Sequence, residues 1–286
     1  MKNHEGQYPV KKMAETLDIS SSRYYAWLHS RPSLHELRDQ ELLISIQKFY
    51  EESRQIYGSP RIKRDMKNAG IKCSKKRIER LMKDNGIKGR QKRRFKVTTD
   101  SKHDYPISPN LLNRQFVVEK PNTYWVSDIT YVRTMEGWLY LCVIIDLFSR
   151  MVVGWSMTDH MRAEMVINAL DMAVSHRKPS AGLIFHSDRG IQYACKDFRD
   201  ELIRHKMIQS MSRKGNCWDN ACAETFFASL KAEEVYRRKY GTRYESRFYI
   251  FEYIAVFYNR KRTHSFLDYL SPEEYELSMN GLDKVA

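Results

Sequence analysis

The chain has 286 residues, 42% hydrophobic and 12% aromatic, enough to build cores for two or three small domains and too apolar for a disordered chain. Lys and Arg outnumber Asp and Glu by 49 to 35, a formal net charge of +14 that points to a polyanionic partner. There is no apolar run of the roughly eighteen residues that a membrane span needs and no apolar signal core; the five cysteines (Cys73, Cys142, Cys195, Cys217, Cys222) form no CxxC pair, so membrane partners and disulfide frameworks are set aside and a cytoplasmic protein is expected.

In residues 1–58, VKKMAETLDISSSRYYAWLHS predicts a helix, a turn over Leu17-Asp18-Ile19-Ser20 and a second helix with Tyr24, Tyr25 and Trp27. Ala14, Leu17 and Ile19 fall at the packing positions of a helix-turn-helix-like segment. ELLISIQKFYEESR follows as an amphipathic helix. Positive charge then concentrates: residues 60–96 hold sixteen Lys or Arg and three Asp or Glu, nearly the whole excess of the chain. Ser59 reads as an N-cap with Pro60 at the first helical position, and the helix PRIKRDMKNAG ends at Gly70. Ser74 caps a second helix with Ile78, Leu81 and Met82 on its apolar face. Two short helices, a tight turn between them and a basic second helix make residues 59–96 a helix-turn-helix. Its DNA-contact candidates are Arg61, Lys63, Arg64, Lys75, Lys76, Arg77 and Arg80. Residues 97–116, with Pro106 and Pro109, read as a linker, and the basic run from Lys88 leading into it can track a phosphate backbone.

Residues 117–235 change period. YWVSDITYVRT alternates as a strand, WLYLCVIIDLFS is the continuous apolar run of a doubly covered strand, and MVVGWSMTD is a third, giving an antiparallel meander. AEMVINALDMAVSHR is helical, GLIFHSDRG a short strand, CKDFRDELIRHK a helix, MIQSMS a short strand, and a final helix starts near Cys217. The order βββαβαβα predicts an α/β fold: a mixed five-stranded sheet with flanking helices, the first and fourth strands neighbours, preceded by the all-α helix-turn-helix region. Asp128 then lies inside the first strand and Asp188 at the end of the fourth, where a lone carboxylate is costly. Two neighbouring aspartates repel unless a cation lies between them. Glu224, on the final helix, supplies a third carboxylate, and Asn220, Glu224 and Lys231 share one helical face. Oxygen ligands without a His or Cys set favour Mg²⁺, with Mn²⁺ able to substitute; two such ions roughly 3.5–4 Å apart serve phosphoryl transfer. Lys231 is a phosphate-contact candidate. His186 and Asn220 are candidates for the shell behind the carboxylates, His186 being also readable as a structural histidine, and Asp146 reads as a structural hydrogen-bond acceptor. Residues 236–286 form a helical extension in which Phe248, Phe251, Tyr253, Ile254, Phe257 and Tyr258 are expected to pack; Arg260, Lys261, Arg262 and His264 are further DNA-contact candidates.

WVSDITYV, FHSDRGIQY and KGNCWDNACAETFFASLK resemble the three motifs of DDE transposases and retroviral integrases, with thirty-five residues between Asp188 and Glu224 and a basic residue, Lys231, seven after the glutamate. Together with YGSPRIKRDMKNAGIKCSKKRIERLMKDNGIKG and YNRKRTHSFLDYLSPEEYE, most of the chain resembles the OrfB transposases of IS3-family (IS150-like) insertion sequences. The resemblance implies an RNase H-like core, Asp128, Asp188 and Glu224 as catalytic metal ligands, DNA 3′-end cleavage and strand transfer without a covalent protein–DNA intermediate. It also implies terminal inverted repeats and target DNA as partners, a homo-oligomer on DNA, and an OrfA-type helix-turn-helix protein, separate or joined by a frameshift fusion. From the residues alone, an RNase H-like nuclease that cuts without joining and a DNA-binding regulator stay open.

Overall fold

The computed structural model describes residues 1–90, 105–213 and 217–282. The part of the expected linker at 97–104 and the basic run at 91–96 lie outside the described residues. Helices α1 (Val10–Thr16) and α2 (Ser21–Leu28) pack mainly on each other. Ala14 and Tyr24 are buried between them, whereas Leu17 and Ile19, expected at packing positions, are exposed. Two helices this short cover one small seam and leave the turn between them in solvent.

A three-helix unit follows: α3 (Leu34–Glu52), α4 (Ser59–Asn68) and α5 (Lys75–Asp84). Each start is set locally. Ser33 caps α3 in a reciprocal capping box with Glu36, and Ser74 accepts the Arg77 amide at the start of α5. Helix α4 starts one residue earlier than read: Gly58 is the N-cap, Ser59 is already helical and Pro60 still falls within the first turn, where its missing N–H costs nothing. Leu42 and Ile46 of α3 share a core with Ile62, Met66, Ile78, Leu81 and Met82.

The second half is a five-stranded mixed sheet in the order β3-β2-β1-β4-β5. Strands β1 (Tyr124–Thr134), β2 (Gly137–Asp146) and β3 (Val152–Thr158) form the antiparallel meander. Gly137, at φ +112°, turns the tight β1–β2 hairpin. Strands β4 (Ile184–Ser187) and β5 (Ile208–Met211) add in parallel on the other side of β1. One face carries α6 (Ala163–Arg177), α7 (Ile191–Ala194) and α8 (Lys196–Arg204), packed on Trp125, Cys142, Ile144 and Phe185. Gly154 of β3 permits the close approach of α6, since a Cβ there would lie 2.4 Å from the Ala169 carbonyl oxygen. The other face, through Val126, Val132, Leu141 and Val143, is covered by α9 (Ala221–Glu233) and the C-terminal elements. Cys217–Asn220 form a short 3₁₀ turn ahead of α9, so the final helix begins four residues later than its motif suggested.

The tail comprises α10 (Arg243–Phe251), a π-helix over Glu252–Tyr258 and α11 (Pro272–Leu282). Tyr253, Ile254, Phe257 and Tyr258 are buried as expected, but Phe248 and Phe251 are about half exposed, at 56% and 49%. The buried stripe runs through Ser246, Ile250, Tyr253, Ile254 and Phe257, and helical geometry turns Phe248 and Phe251 away from it. The tail also receives the three-helix unit. Tyr57 Oη accepts the Thr263 amide at 2.7 Å and donates to the Lys261 carbonyl, while Arg54 pairs with Glu252 at 2.5 Å.

Candidate active site

The sheet register brings the first two carboxylates together. Val126 of β1 is paired in parallel with His186 of β4. Two residues on, Asp128 and Asp188 follow in the same register and on the same face, just where β4 ends. That face is the one covered by α9. Ala223, Phe226, Phe227 and Leu230 bury one side of α9 against the sheet, and Glu224, next to Ala223, is left half-buried at the rim of this contact. Asp128 and Asp188 are likewise partly accessible. Lys231, two turns along α9, places its ammonium 5.5 Å from the Tyr131 ring centroid on β1.

The electrostatics are those of crowded acids. Burial, then the charge of Asp188 and to a lesser extent that of Glu224, push the Asp128 carboxyl well above the usual carboxylate range, although the Ile129 amide donates to its Oδ1 at 2.8 Å. Burial also raises Glu224. Burial lowers Lys231, against the attraction of Asp128. Asp188 Oδ1 accepts the Gly190 amide at 2.9 Å, which fixes the turn leaving β4.

Several polar side chains hold this arrangement. Asn220 stands at the N-cap position of α9 without a side-chain capping bond and donates from Nδ2 to the Ser127 carbonyl at 3.0 Å, tying the helix to β1 one residue before Asp128. Its Oδ1 is buried with no donor among the described residues. His186 is fully buried, with Nδ1 2.8 Å from Ser210 Oγ and Nε2 3.1 Å from Ser212 Oγ; burial pulls its pKa down to about 4, so the ring is neutral at physiological pH. It braces β4 against β5 and its following residue, the structural role that the sequence left open for it. Asp146 is likewise structural, accepting the Asn122 and Phe148 amides and a bond from Arg177.

Asp219, which the sequence offers either as a helix cap or for a role behind the carboxylates or on DNA, is fully buried and takes Arg213 through two side-chain bonds of 2.9 Å, with Arg114 at 3.1 Å and Asn110 at 2.9 Å. These partners, Arg213 foremost, hold its carboxyl well below the usual range. Three separate segments are thereby pinned at the entrance of α9. No periodic or motif signal in the sequence joins residues 110, 114, 213 and 219.

The DNA-contact candidates divide by environment. Lys63, Lys75 and Lys76 are exposed on α4 and α5, with Lys75 3.3 Å from Glu79. Arg77 and Arg80 are turned onto Asp39 of α3, at 2.7 and 2.6 Å, and so join α5 to α3. Arg61 is half-buried over the Tyr57 ring, 5.1 Å from its centroid, and Arg64 is half-buried with no partner for its Nε among the described residues. In the tail, Arg262 is buried against Glu233 and does not reach solvent.

The donor set suits a hard divalent cation: Asp128 of β1 stands in register with Asp188 beyond β4, Glu224 of α9 is near enough for its charge to act on Asp128, burial and then the Asp188 and Glu224 charges disfavour the Asp128 anion, and Asn220 Oδ1 is a buried acceptor with no donor among the described residues. Among the described residues, the acidic group whose ligand atoms all lie within 4.8 Å of one another is a different one, Asp171, Glu201 and His205 on the α6–α8 surface. Arg204 bridges Asp171 and Glu201, which makes that group an ion-pair cluster.

Known proteins share these features. Residues 118–217 and 224–279 match integrase core domain families, and residues 36–95 match an HTH-like domain. The chain is 38% identical over 282 residues to the InsF transposase of insertion sequence IS3A from Escherichia coli (strain K12), covering 96% of each protein. It is 41% identical over 263 residues to the 31 kDa protein of insertion element IS600 from Shigella sonnei, covering 92% of this chain and 97% of that one. Among solved structures it is similar to a chain of the simian T-cell lymphotropic virus intasome in complex with the PP2A regulatory subunit B56 gamma, at 13% identity and a TM-score of 0.47 over 80% of this chain and 73% of that one. On identity across nearly its whole length, the chain belongs to the transposases of the IS3 family, DDE-type polynucleotidyl transferases with an HTH-like domain ahead of the integrase core.

Proposed function

We propose that this protein cuts DNA at the 3′ ends of an insertion sequence and joins those ends to target DNA, with Asp128, Asp188 and Glu224 as its catalytic metal ligands. The observation that carries the reading is the register that sets Asp128 beside Asp188, with burial and then the charges of Asp188 and of Glu224 on α9 raising the Asp128 pKa. Asp128, Asp188 and Glu224 would hold two Mg²⁺ ions, for which Mn²⁺ could substitute; such ions would supply activation of the attacking oxygen and stabilisation of the leaving one.

The chain's own groups bind and orient. In the first reaction water attacks the scissile phosphodiester and the 3′-oxygen leaves as a free 3′-OH. In the second that 3′-OH attacks a target phosphodiester, a new 3′–5′ linkage forms, and the target's own 3′-oxygen departs. Neither reaction needs a protein nucleophile. Lys231 offers a point charge to a phosphate beside the carboxylates. Asn220 and the Asp219 cluster hold α9, and hence Glu224, against β1. The exposed lysines of α4 and α5, Lys63, Lys75 and Lys76, hold the terminal inverted repeats, with the arginines of the two helices behind them.

Pairing two element ends calls for a homo-oligomer on DNA, and the family resemblance supports an OrfA-type helix-turn-helix partner, separate or fused. The test is a labelled duplex carrying the element's inverted repeats, incubated with Mg²⁺ and the protein, alone and with that partner. Wild type is expected to release and join 3′ ends, and Glu224→Gln to bind the duplex without cutting it. Cleavage retained by Glu224→Gln overturns the site assignment; cleavage without joining favours a nuclease.

A further inference from the structure

Between the three-helix unit and the catalytic core lies a cleft of about 740 Å³, lined by Tyr50, Gly86, Lys88, Gly89, Arg90, Ala232 and Tyr236. Its two walls come from different parts of the chain. The segment after α5 forms one wall, and the end of α9 with the turn beyond it forms the other.

The basic wall is held rigidly. Tyr50 Oη donates to the Lys88 carbonyl at 2.8 Å, and the Arg90 amide donates to the Ile56 carbonyl at 3.0 Å. Gly89 runs so close to Gly58 that a Cβ would lie 2.8 Å from the Gly58 Cα. Lys88 and Arg90 are therefore presented on a fixed backbone, with exposed side chains. Among the described residues no carboxylate pairs with either of them. Next to the lining residue Tyr236, Arg237 donates to the Arg54 carbonyl at 2.7 Å, and its guanidinium is disfavoured by burial and then by the nearby charge of Arg90, with Glu234 acting in the opposite sense. Two exposed basic side chains on one wall of a cleft, with no carboxylate paired to them among the described residues, attract a polyanion. Tyr50 and Tyr236 add aromatic surface.

The position relative to the carboxylates gives the occupant. Ala232 is eight residues after Glu224 on α9, about 12 Å along the helix axis. B-DNA rises 3.4 Å per nucleotide of one strand, so a strand leaving the carboxylate site along α9 reaches the cleft after about four base steps, passing Lys231 on the way.

We propose that this cleft binds the phosphodiester backbone of the DNA strand engaged at the carboxylates, with Lys88 and Arg90 neutralising phosphates about four base steps from the reacting one. The site is complete only when the HTH-like unit is docked on the core, so the strand held at Glu224 also bridges the two units. The inference rests on the transposase reading and adds a strand path to it.

The test measures binding of a fluorescent duplex ending in the element's inverted repeat, without divalent ions, over a range of salt concentrations. The Lys88→Gln/Arg90→Gln double variant is expected to keep its melting temperature. Its slope of log K against log salt should be shallower by about 2, since each phosphate contact contributes about 0.9. A second duplex carries neutral methylphosphonates two to six nucleotides from the transferred 3′ end. It should weaken wild-type binding and leave the double variant's affinity unchanged. A wild-type slope in the double variant, or an equal methylphosphonate penalty in both proteins, overturns the cleft assignment alone. If wild type binds no duplex, the DNA-acting reading fails and the cleft falls with it, whereas the cleavage assay with Glu224→Gln judges the carboxylates independently.

Discussion

The Arg262 guanidinium grips the Glu233 carboxylate through two parallel bonds, Nε to Oε2 and Nη2 to Oε1, both 2.7 Å long and both buried. Tyr253 donates its hydroxyl to the same Oε2 at 2.7 Å, and Arg262 Nη2 also reaches Ser229 Oγ at 3.3 Å. This bidentate pair fastens the tail to the C-terminal turn of α9, the helix that bears Glu224. Removing one partner strands a buried charge, at a typical cost of about 3–5 kcal/mol. Arg262→Met is therefore expected to lower the melting temperature by roughly 10 °C. Arg262→Met with Glu233→Gln, which removes both charges, should recover part of that loss. A melting curve for Arg262→Met that overlays wild type would show that the pair does not hold the tail.

That pair also marks what the sequence could and could not reveal. Asp128 was legible because alternation around it named a strand, and a carboxylate inside a strand demands a reason. Glu224 was legible from its motif and its distance from Asp188. Arg262, by contrast, sits in an Arg-Lys-Arg run after a helix, and such runs are usually solvated; only tertiary packing turns one member inward to Glu233. Asp219 was hidden for the same reason, since its partners Asn110 and Arg114 lie in a segment about a hundred residues away and only Arg213 is near it in the chain. Phe248 and Phe251 misled in the opposite direction: residue type suggested core, and helical phase put them outside.

Asp65 of α4 gives a pH-dependent prediction. Burial, then the nearby charge of Glu52 and, more weakly, that of Glu274, push its pKa up to about 6, outweighing the attraction of Arg61. The folded protein thus holds this proton more tightly than the unfolded chain, where the usual value is about 3.9. The sign follows: the group costs nothing below the unfolded value, and folding stability is lost as pH rises from there through about 6. Asp65→Asn is expected to stabilise the protein by an amount of order 1 kcal/mol at pH 8, after allowance for its partial exposure, and by nothing at pH 3.5. Urea denaturation at the two pH values checks it, and an equal gain at both would show that charge at this site is not the cause.

Behind Asp128, on the opposite face of β1, Ser127 Oγ lies 2.8 Å from Tyr193 Oη and donates to the Val143 carbonyl at 2.9 Å. Tyr193 belongs to the FHSDRGIQY motif, so this motif supplies both Asp188 and the buried hydroxyl that backs the neighbouring strand. Tyr193→Phe removes a buried hydrogen bond whose partner keeps another, for which a loss of about 1 kcal/mol is expected. Duplex affinity should be unchanged, because the ring stays packed among Phe185 and Phe198. Urea denaturation with a parallel binding titration measures both, and a change in affinity without a change in stability would contradict the assignment.

Lys76 and Arg77 are neighbours on α5 with opposite expected behaviour. Lys76 is exposed, whereas Arg77 reaches Asp39 Oδ1 from Nε at 2.7 Å and the His35 carbonyl from Nη2 at 3.3 Å. Arg80 and then Arg77 keep the Asp39 carboxyl below its ordinary range, so the three charges form one clamp between α3 and α5. Lys76→Gln should leave the melting temperature unchanged and reduce the salt slope of duplex binding by about 1, the signature of one lost phosphate contact. Arg77→Gln should instead lower the melting temperature of the HTH-like unit and leave the slope close to wild type. Equal loss of slope in both variants would mean that Arg77 leaves Asp39 when DNA arrives. In that case Asp39→Asn, which frees both arginines in advance, should tighten duplex binding, and the same titration would record it.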